Sequence, residues 1–190
     1  MIIEDTDFTG IDYTKTAFEK GEYENCRFSH CDFSNVLLAD SLFTSCIFEE
    51  CNLSMVNVAN TSFRDTTFIG CKLLGVHFEN CRPFLLSFSF QNCMMKYSNF
   101  YRLKLKGTSF VTCSLHDVDF TESDLSNASF NECDLKGAVF DATVLEKADF
   151  QTAINYSINP LSNKIKKAKF SLPEVIGLLD SFDIEITDRV

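Results

Sequence analysis

The 190-residue sequence lacks the features that mark membrane and secreted proteins. No apolar run approaches the roughly 18 residues of a membrane span. The N-terminal residues MIIEDTDF contain neither a basic stretch nor a long apolar core, so no secretory signal is predicted. A cytoplasmic location without membrane contact is therefore expected.

Basic residues are scarce, with 17 lysines and arginines against 27 aspartates and glutamates, which gives a formal net charge of −10. The excess of acid is greatest in residues 1–95, where 13 acidic residues face 6 basic ones. A basic footprint for nucleic acid is absent, so direct nucleic-acid binding is disfavoured. Acidic surface charge commonly serves solubility, and binding of a charged partner is the alternative interpretation.

Recognisable catalytic and metal-binding patterns are also missing. The seven glycines are dispersed, so no phosphate-binding loop is present. His30, His77 and His116 stand far apart, without metal spacing or a neighbouring nucleophile. The sequence contains no CxxC pair, which would be the usual sign of a zinc site. We therefore expect no catalytic residue, no metal, no cofactor and no small-molecule substrate.

What the sequence does contain is a ladder of phenylalanines. Successive members are twenty residues apart, except for one step of twenty-two residues between Phe68 and Phe90. The ladder consists of Phe8, Phe28, Phe48, Phe68, Phe90, Phe110, Phe130, Phe150 and Phe170. Between these positions a large apolar residue recurs at every fifth place. A fixed internal period of this kind indicates a repeat architecture.

A period of five fits neither an α-helix at 3.6 residues per turn nor a strand at two. Four units of five make the twenty-residue repeat, which predicts a coil with four short sides, each contributing one inward-facing residue. Stacked coils would place equivalent residues above one another at about the 4.8 Å spacing of β-strands. The sequence therefore predicts an all-β solenoid with four apolar columns, and the first column consists of phenylalanine throughout.

All nine cysteines occupy one slot of this pattern, two positions before a place for a large apolar residue. The other residues in that slot are mostly small, and a free cysteine packs as a small hydrophobe. At strand spacing, cysteines stacked one per coil have Cβ atoms too far apart for a disulfide. The cysteines are therefore predicted to be structural. Six of them form one column: Cys31, Cys51, Cys71, Cys93, Cys113 and Cys133.

The pattern is interrupted once, at CRPFLLSFSF in residues 81–90. Two residues are inserted in the fourth side or at the following corner, and Pro83 takes the place of a large apolar residue. Proline lacks a backbone donor and has a restricted φ, so a bulge is predicted at Pro83, Phe84 and Leu85. We interpret it either as a tolerated structural bulge or as an exposed apolar contact for a partner.

After residue 170 the sequence SLPEVIGLLDSF changes to helical spacing. Ser171 and Glu174 have capping-box spacing, and Pro173 suits a first helical turn. We predict a solenoid over residues 1–170, followed over 171–190 by a short α-helix and a short strand that cap the last coil. The cap is also predicted to form a homodimer through its apolar residues: Leu172, Val175, Ile176, Leu179 and Phe182.

The units SNASF, KGAVF and EKADF resemble the A(D/N)LXX units of the pentapeptide-repeat family, and the resemblance extends over about residues 6–170. It implies a right-handed quadrilateral β-helix. The chain length, the central break and the apolar C-terminal segment are similar to the Qnr, MfpA and microcin-immunity branch. That similarity implies a cytoplasmic homodimer that mimics DNA, binds DNA gyrase or topoisomerase IV, and protects it from quinolones or a peptide toxin.

Outward charges are unevenly distributed among the four sides. The first side, which carries the phenylalanine column, has only Arg27 as a cation up to residue 150, against a set of acids predicted to bind the partner: Asp7, Glu49, Glu50, Glu132 and Asp149. The third side is also acidic. The central insertion is only two residues, so the long loops of Qnr-type proteins are absent. The alternative to a DNA mimic is a general interaction scaffold with an unrelated protein partner.

Overall fold

Short parallel strands stacked in two sheets build the protein, and the computed structural model describes residues 1–187 of the chain. One sheet contains β1 (Ile2–Glu4), β3 (Glu22–Glu24), β5 (Leu42–Thr44) and β7 (Ser62–Arg64). The other contains β2 (Asp7–Thr9), β4 (Arg27–Ser29), β6 (Ile47–Glu49), β8 (Thr66–Ile69), β9 (Phe88–Gln91), β10 (Ser109–Val111) and β11 (Ser129–Asn131). Three short 3-10 helices complete the elements: η1 (Phe78–Asn80), η2 (Glu174–Leu178) and η3 (Asp180–Phe182).

The strand register follows the twenty-residue repeat. Phe28 pairs with Phe8 and Phe48, and across the one longer step Phe68 pairs with Phe90. Two sheets occupy the first and fourth sides, and single parallel bridges connect successive coils on the second and third sides. The predicted all-β solenoid of stacked coils is therefore confirmed.

The phenylalanine ladder forms a continuous stack of rings along the axis. Its eight consecutive pairs have centroid separations of 4.7–5.3 Å and interplanar angles of 2–14°. In the third column, Phe100 and Phe120 stack in the same way, 5.3 Å apart. Rings of the two columns meet edge to face, as Phe110 and Phe120 do at 5.9 Å and 80°. These are the geometries that aromatic rings favour, and they fill the interior with side chains.

The chain turns most corners with one residue in the left-handed conformation, two positions after the large apolar residue. Asn35, Asn60 and Gly107 have φ angles of 59°, 55° and 71° at these positions. Glycine has no Cβ to clash there, and the short polar side chain of asparagine tolerates the conformation better than most. This requirement explains the outward Asn, Asp and Gly residues that recur at the corners.

Side chains in the small slot, two positions before each large apolar residue, form hydrogen bonds with the preceding coil. The thiols of Cys51 and Cys71 donate to the carbonyl oxygens of Phe28 and Phe48 in the preceding coil, at 3.2 and 3.3 Å. The hydroxyl of Thr143 donates to the Phe120 carbonyl in the same way, at 2.9 Å. The slot therefore favours a small side chain that can donate a hydrogen bond, which Cys, Ser and Thr satisfy.

All nine cysteines are buried and free. Burial raises the pKa of the Cys46 thiol to about 11, and burial also raises the pKa of Cys81. The thiolate is the reactive form, so the Cys46 and Cys81 thiols are poor nucleophiles at neutral pH. The geometry fits the structural role that the spacing predicts.

The bulge at the register break lies in the fourth side. The sheet of the fourth side ends at β7, and residues 82–87 bend outward, with the ends held by Arg82 N–H to Thr61 O and Ser87 N–H to Phe63 O, both 2.9 Å. Phe84 and Leu85 are 71% and 60% exposed. The cis peptide bond within residues 1–187 is Leu172–Pro173, so the peptide before Pro83 is trans.

Phe88, which lies outside the predicted pattern of large residues, fills the space that the bulge leaves. It occupies a small slot two positions before Phe90, yet it is only 6% exposed. Its ring lies 5.4 Å from Phe78, 6.1 Å from Phe100 and 6.4 Å from Phe63. Phe88 on the next side of the coil therefore fills the space that a large side chain at position 83 would have occupied.

The predicted C-terminal α-helix is wrong, because the segment forms the two 3-10 helices η2 and η3, and residues 183–187 contain no strand. The capping box is not formed. The Ser171 hydroxyl donates instead to the Gln151 carbonyl, and the Glu174 carboxylate accepts from the Asn155 amide at 3.2 Å. So short a helix is marginal by itself, and contacts with the last coil decide its conformation. Residues 188–190 of the predicted cap lie outside the described residues.

The C-terminal segment packs closely on the last coil. The Ile158 amide donates to the Gly177 carbonyl at 3.0 Å, and a Cβ at position 177 would lie 1.9 Å from the Tyr156 carbonyl oxygen. Only glycine permits this approach. Leu178 packs against the core, and the segment thereby covers part of the C-terminal end of the solenoid.

Candidate interaction surfaces

The histidines and carboxylates of the described chain do not gather into a metal-binding cluster. Within residues 1–187 no cluster of three or more His, Cys, Asp or Glu side chains could hold a metal ion. The predicted separation of the histidines is observed, and each one faces a single carboxylate: His30 with Glu50, His77 with Glu79, and His116 with Asp134, at 2.8–3.1 Å. No helix in this part of the chain is long and apolar enough to cross a membrane.

The five acids predicted on the first side share that side but do not form one patch. Glu49 and Glu50 lie at β6, whereas Glu132 follows β11 several coils away. Between them the outward positions of β8, β9 and β10 carry uncharged residues such as Ile69, Gln91 and Val111. The first side therefore has two acidic ends separated by a neutral middle.

Ion pairs between neighbouring coils neutralise part of this charge. Arg27 Nη1 lies 2.6 Å from Glu49 Oε2, and Lys169 Nζ lies 2.9 Å from Asp149 Oδ2. Within residues 1–187, Asp7 and Glu132 have no cationic side chain within 4.0 Å. The repeat places these residues on neighbouring coils, but only the side-chain conformations in the structure show that each pair is in contact.

The third side carries a more compact acidic group. Asp119, Glu122 and Asp141 lie on two successive coils, and the Glu122 amide donates to the Asp141 carbonyl at 2.8 Å. Arg102 bonds the Glu122 carboxylate at 2.7 Å and holds its pKa below the usual value. In the described chain, Asp119 and Asp141 have no cation within 4.0 Å. On the third and first sides of the described chain, Asp141 and Glu132 are thus exposed acids without a cationic partner.

Two shallow hollows flank the bulge on the fourth side. One, of about 390 Å³, is lined by Arg64, Leu85 and Leu86. The other, of about 340 Å³, is lined by Lys104, Lys106 and several hydroxyl groups. Both include Asp65, Leu86 and Ser87, so the bulge separates two adjoining hollows. Pro83, Phe84 and Leu85 thus stand exposed between basic residues.

The C-terminal segment presents an apolar surface. Of the residues predicted for dimerisation, Val175 is half-buried and the rest are exposed, from 39% for Leu179 to 84% for Leu172. Ile184 and Ile186 are exposed beside them. An exposed apolar group of this size on a surface segment is a typical protein contact.

Comparison with known proteins agrees with the architecture. A family model described as a pentapeptide repeat region matches residues 41–115 and 84–159, and a model of pentapeptide repeats in eight copies matches residues 24–57. Comparison with curated protein sequences finds no significant match.

Among solved structures, HetL from the cyanobacterium Nostoc is 16% identical, with a TM-score of 0.61 over 90% of this chain and 87% of that chain. It is described as a pentapeptide-repeat protein involved in heterocyst differentiation regulation. A trypsin-treated variant of QnrB1, a plasmid-mediated fluoroquinolone resistance protein, is 17% identical, with a TM-score of 0.56 over 99% of this chain and 92% of that chain. These likenesses establish the fold. Because the repeat-region model covers residues 41–159, more than half of the sequence, the chain belongs to the pentapeptide-repeat family.

Proposed function

We propose that this protein is a non-enzymatic interaction solenoid whose acidic outer sides bind a basic surface of a partner protein. The observation that carries the proposal is the filled interior, in which stacked rings 4.7–5.3 Å apart leave no room for a substrate. Charged side chains face outward, and the net charge is −10. A rod with acidic sides suits a partner whose own ligand is a polyanion.

The proposed partner is a type II topoisomerase, DNA gyrase or topoisomerase IV, bound at its DNA-binding surface. The resemblance to the Qnr branch and the fold shared with QnrB1 support this choice. Free acids on two opposite sides, Glu132 on the first and Asp141 on the third, would take the place of backbone phosphates. Protection from quinolones or from a peptide toxin, and the cytoplasmic location, are parts of the same proposal.

A gyrase supercoiling assay with purified protein, with and without a fluoroquinolone, tests the proposal. We expect the protein to inhibit supercoiling or to relieve drug poisoning. The double variant Glu132→Lys, Asp141→Lys should weaken that effect about tenfold, because attraction to a basic surface becomes repulsion. The matched control Glu22→Lys, Glu24→Lys makes the same charge change on the fourth side and should retain the effect. Equal activity of both variants would refute the assignment of the acidic sides.

A general interaction scaffold with an unrelated partner is the second candidate. The neutral middle of the first side and the ion pairs at Glu49 and Asp149 favour it, because they lower the density of free negative charge. This candidate predicts no effect on supercoiling and no relief of drug poisoning at tens of micromolar protein, on the scale of weak specific binding.

We also propose that the protein is a homodimer formed through the C-terminal segment. Light scattering at micromolar concentration should give twice the 21.6 kDa mass of the chain. The variant Ile176→Asp, Phe182→Asp should be a monomer, because burial of two carboxylates in an apolar contact is unfavourable. Leu37→Asp is the control, since Leu37 is equally apolar and 62% exposed but lies on the solenoid. A monomeric wild-type protein would contradict this part of the proposal.

A further inference from the structure

The charge of the fourth side changes sign at the bulge. Before β5 this side and its corners carry acids: Glu4, Asp5, Glu22 and Glu24. From β7 onward its acids are Asp65, Asp124 and Glu146. The cations there outnumber them: Arg64, Arg82, Lys104, Lys106, Lys147, Lys164, Lys166 and Lys167. A strongly acidic protein therefore has one region where positive charge prevails, and the exposed apolar bulge lies in it.

The cations beside the bulge are poorly matched by the protein itself. Within residues 1–187, neither Arg64 nor Lys104 has a carboxylate within 4.0 Å, whereas Lys106 reaches Asp124 at 3.8 Å and Arg82 reaches Asp40 at 3.9 Å. The Nε of Arg64 is buried and makes no hydrogen bond in the described chain. Because this atom is closed to solvent, the exposed ammonium groups of Lys104 and Lys106 are the cations that an outside carboxylate can reach.

One backbone amide beside the bulge also lacks the hydrogen bond that its equivalents make in later coils. In the coils that follow, the amides of Asp124, Val144 and Lys164 each donate to a carbonyl of the preceding coil at 2.9–3.0 Å. The equivalent amide of Lys104 makes no backbone hydrogen bond within the described residues, because the bulge displaces the strand that would accept it. An extended segment from another molecule could use such an open donor, as in strand addition.

We infer that the bulge and its two hollows form a second docking surface for an extended acidic segment of a partner protein, one that carries a carboxylate beside a large apolar side chain. The apolar side chain would lie against Leu85 and Leu86, in the hollow lined by Arg64. The carboxylate would reach Lys104 and Lys106 across the hydroxyl-rich hollow. This surface is opposite in charge to the acidic sides and independent of them.

A peptide segment fits this surface better than a nucleic acid does. The exposed side chains of Phe84 and Leu85 offer apolar contact that a phosphate backbone would not use. The net charge of −10 repels a long polyanion, whereas a short acidic segment meets mainly the local cations within a Debye length. The peptide class is therefore the occupant to test.

Selection from a randomised display library of peptides about twelve residues long, on the immobilised full chain, tests this inference without prior choice of a partner. Enriched peptides should pair Asp or Glu with a large apolar residue. Their affinity, measured by fluorescence anisotropy, should fall about tenfold or more for Lys104→Glu, Lys106→Glu. The matched control is Lys164→Glu, Lys166→Glu, because these lysines flank Ile165 as Lys104 and Lys106 flank Leu105. That control should change affinity less than about twofold.

A second variant, Leu85→Asp, removes apolar contact and adds repulsion at an exposed site, and it should weaken the same peptides. Circular dichroism melts show whether each variant is folded. The variant Glu132→Lys, Asp141→Lys should bind the peptides normally, which separates this inference from the topoisomerase proposal. Failure to enrich peptides, enrichment of basic or wholly apolar ones, equal binding by both lysine variants, or preference for an RNA oligonucleotide would overturn it.

Discussion

Replacing Phe110 by alanine is expected to lower the free energy of unfolding by about 3–5 kcal/mol. The ring is fully buried and stacks between Phe90 at 5.3 Å and Phe130 at 5.1 Å. It also meets two rings of the third column edge to face. Truncation would remove contacts in both directions along the stack and leave a cavity that rigid neighbouring coils could not close.

Urea denaturation followed by circular dichroism measures this change. Phe84→Ala is the matched control, because Phe84 is 71% exposed and its truncation should alter the free energy of unfolding by about 0.5 kcal/mol or less. Similar losses for Phe110→Ala and Phe84→Ala would show that the column does not carry the stability of the solenoid.

The second large effect is expected at Phe88. The change Phe88→Ala should lower the free energy of unfolding by about 3 kcal/mol, because its ring fills the space beside Phe63, Phe78 and Phe100 that no other large side chain occupies. The preceding loop has no further buried aromatic residue that could take its place.

Leu85→Ala is the control for Phe88→Ala in the same urea experiment. Leu85 lies three residues away in the same bulge and is 60% exposed, so its truncation should cost little. A loss below about 1 kcal/mol for Phe88→Ala would mean that the register break is loosely packed and tolerates a void.

The period of the sequence was sufficient to predict the solenoid, the phenylalanine stack and the slot of the cysteines. These features depend on which residues face inward, and a fixed period determines that directly. Phe88 was not predicted because it occupies a small slot. The signal was present, however, since an aromatic residue in a small slot follows closely on Pro83 in a large one.

The C-terminal segment was predicted less well for a physical reason. Its apolar spacing and the pair Ser171 and Glu174 favour an α-helix locally. In the structure both side chains form hydrogen bonds with the last coil instead. Gly177 lies directly against the Tyr156 carbonyl. Contacts distant in sequence therefore decide the conformation, and local patterns do not report them.

The surface charge was also predicted only in part from the sequence. Sorting residues by side correctly placed the acids on the first and third sides. It could not show that Arg27 neutralises Glu49 or that Lys169 neutralises Asp149, because those pairs depend on side-chain conformations across neighbouring coils. Glu132 was among the predicted acids, and the structure adds that neither Glu132 nor Asp141 has a cationic side chain within 4.0 Å in the described chain.

Competition between the protein and duplex DNA for gyrase tests the central claim most directly. Fluorescently labelled protein should bind gyrase, and unlabelled linear DNA should displace it in a salt-dependent manner, since both would use the same basic surface. The variant Glu132→Lys, Asp141→Lys should bind more weakly than the Glu22→Lys, Glu24→Lys control. Absence of binding to gyrase, or simultaneous binding of protein and DNA without mutual displacement, would contradict the account.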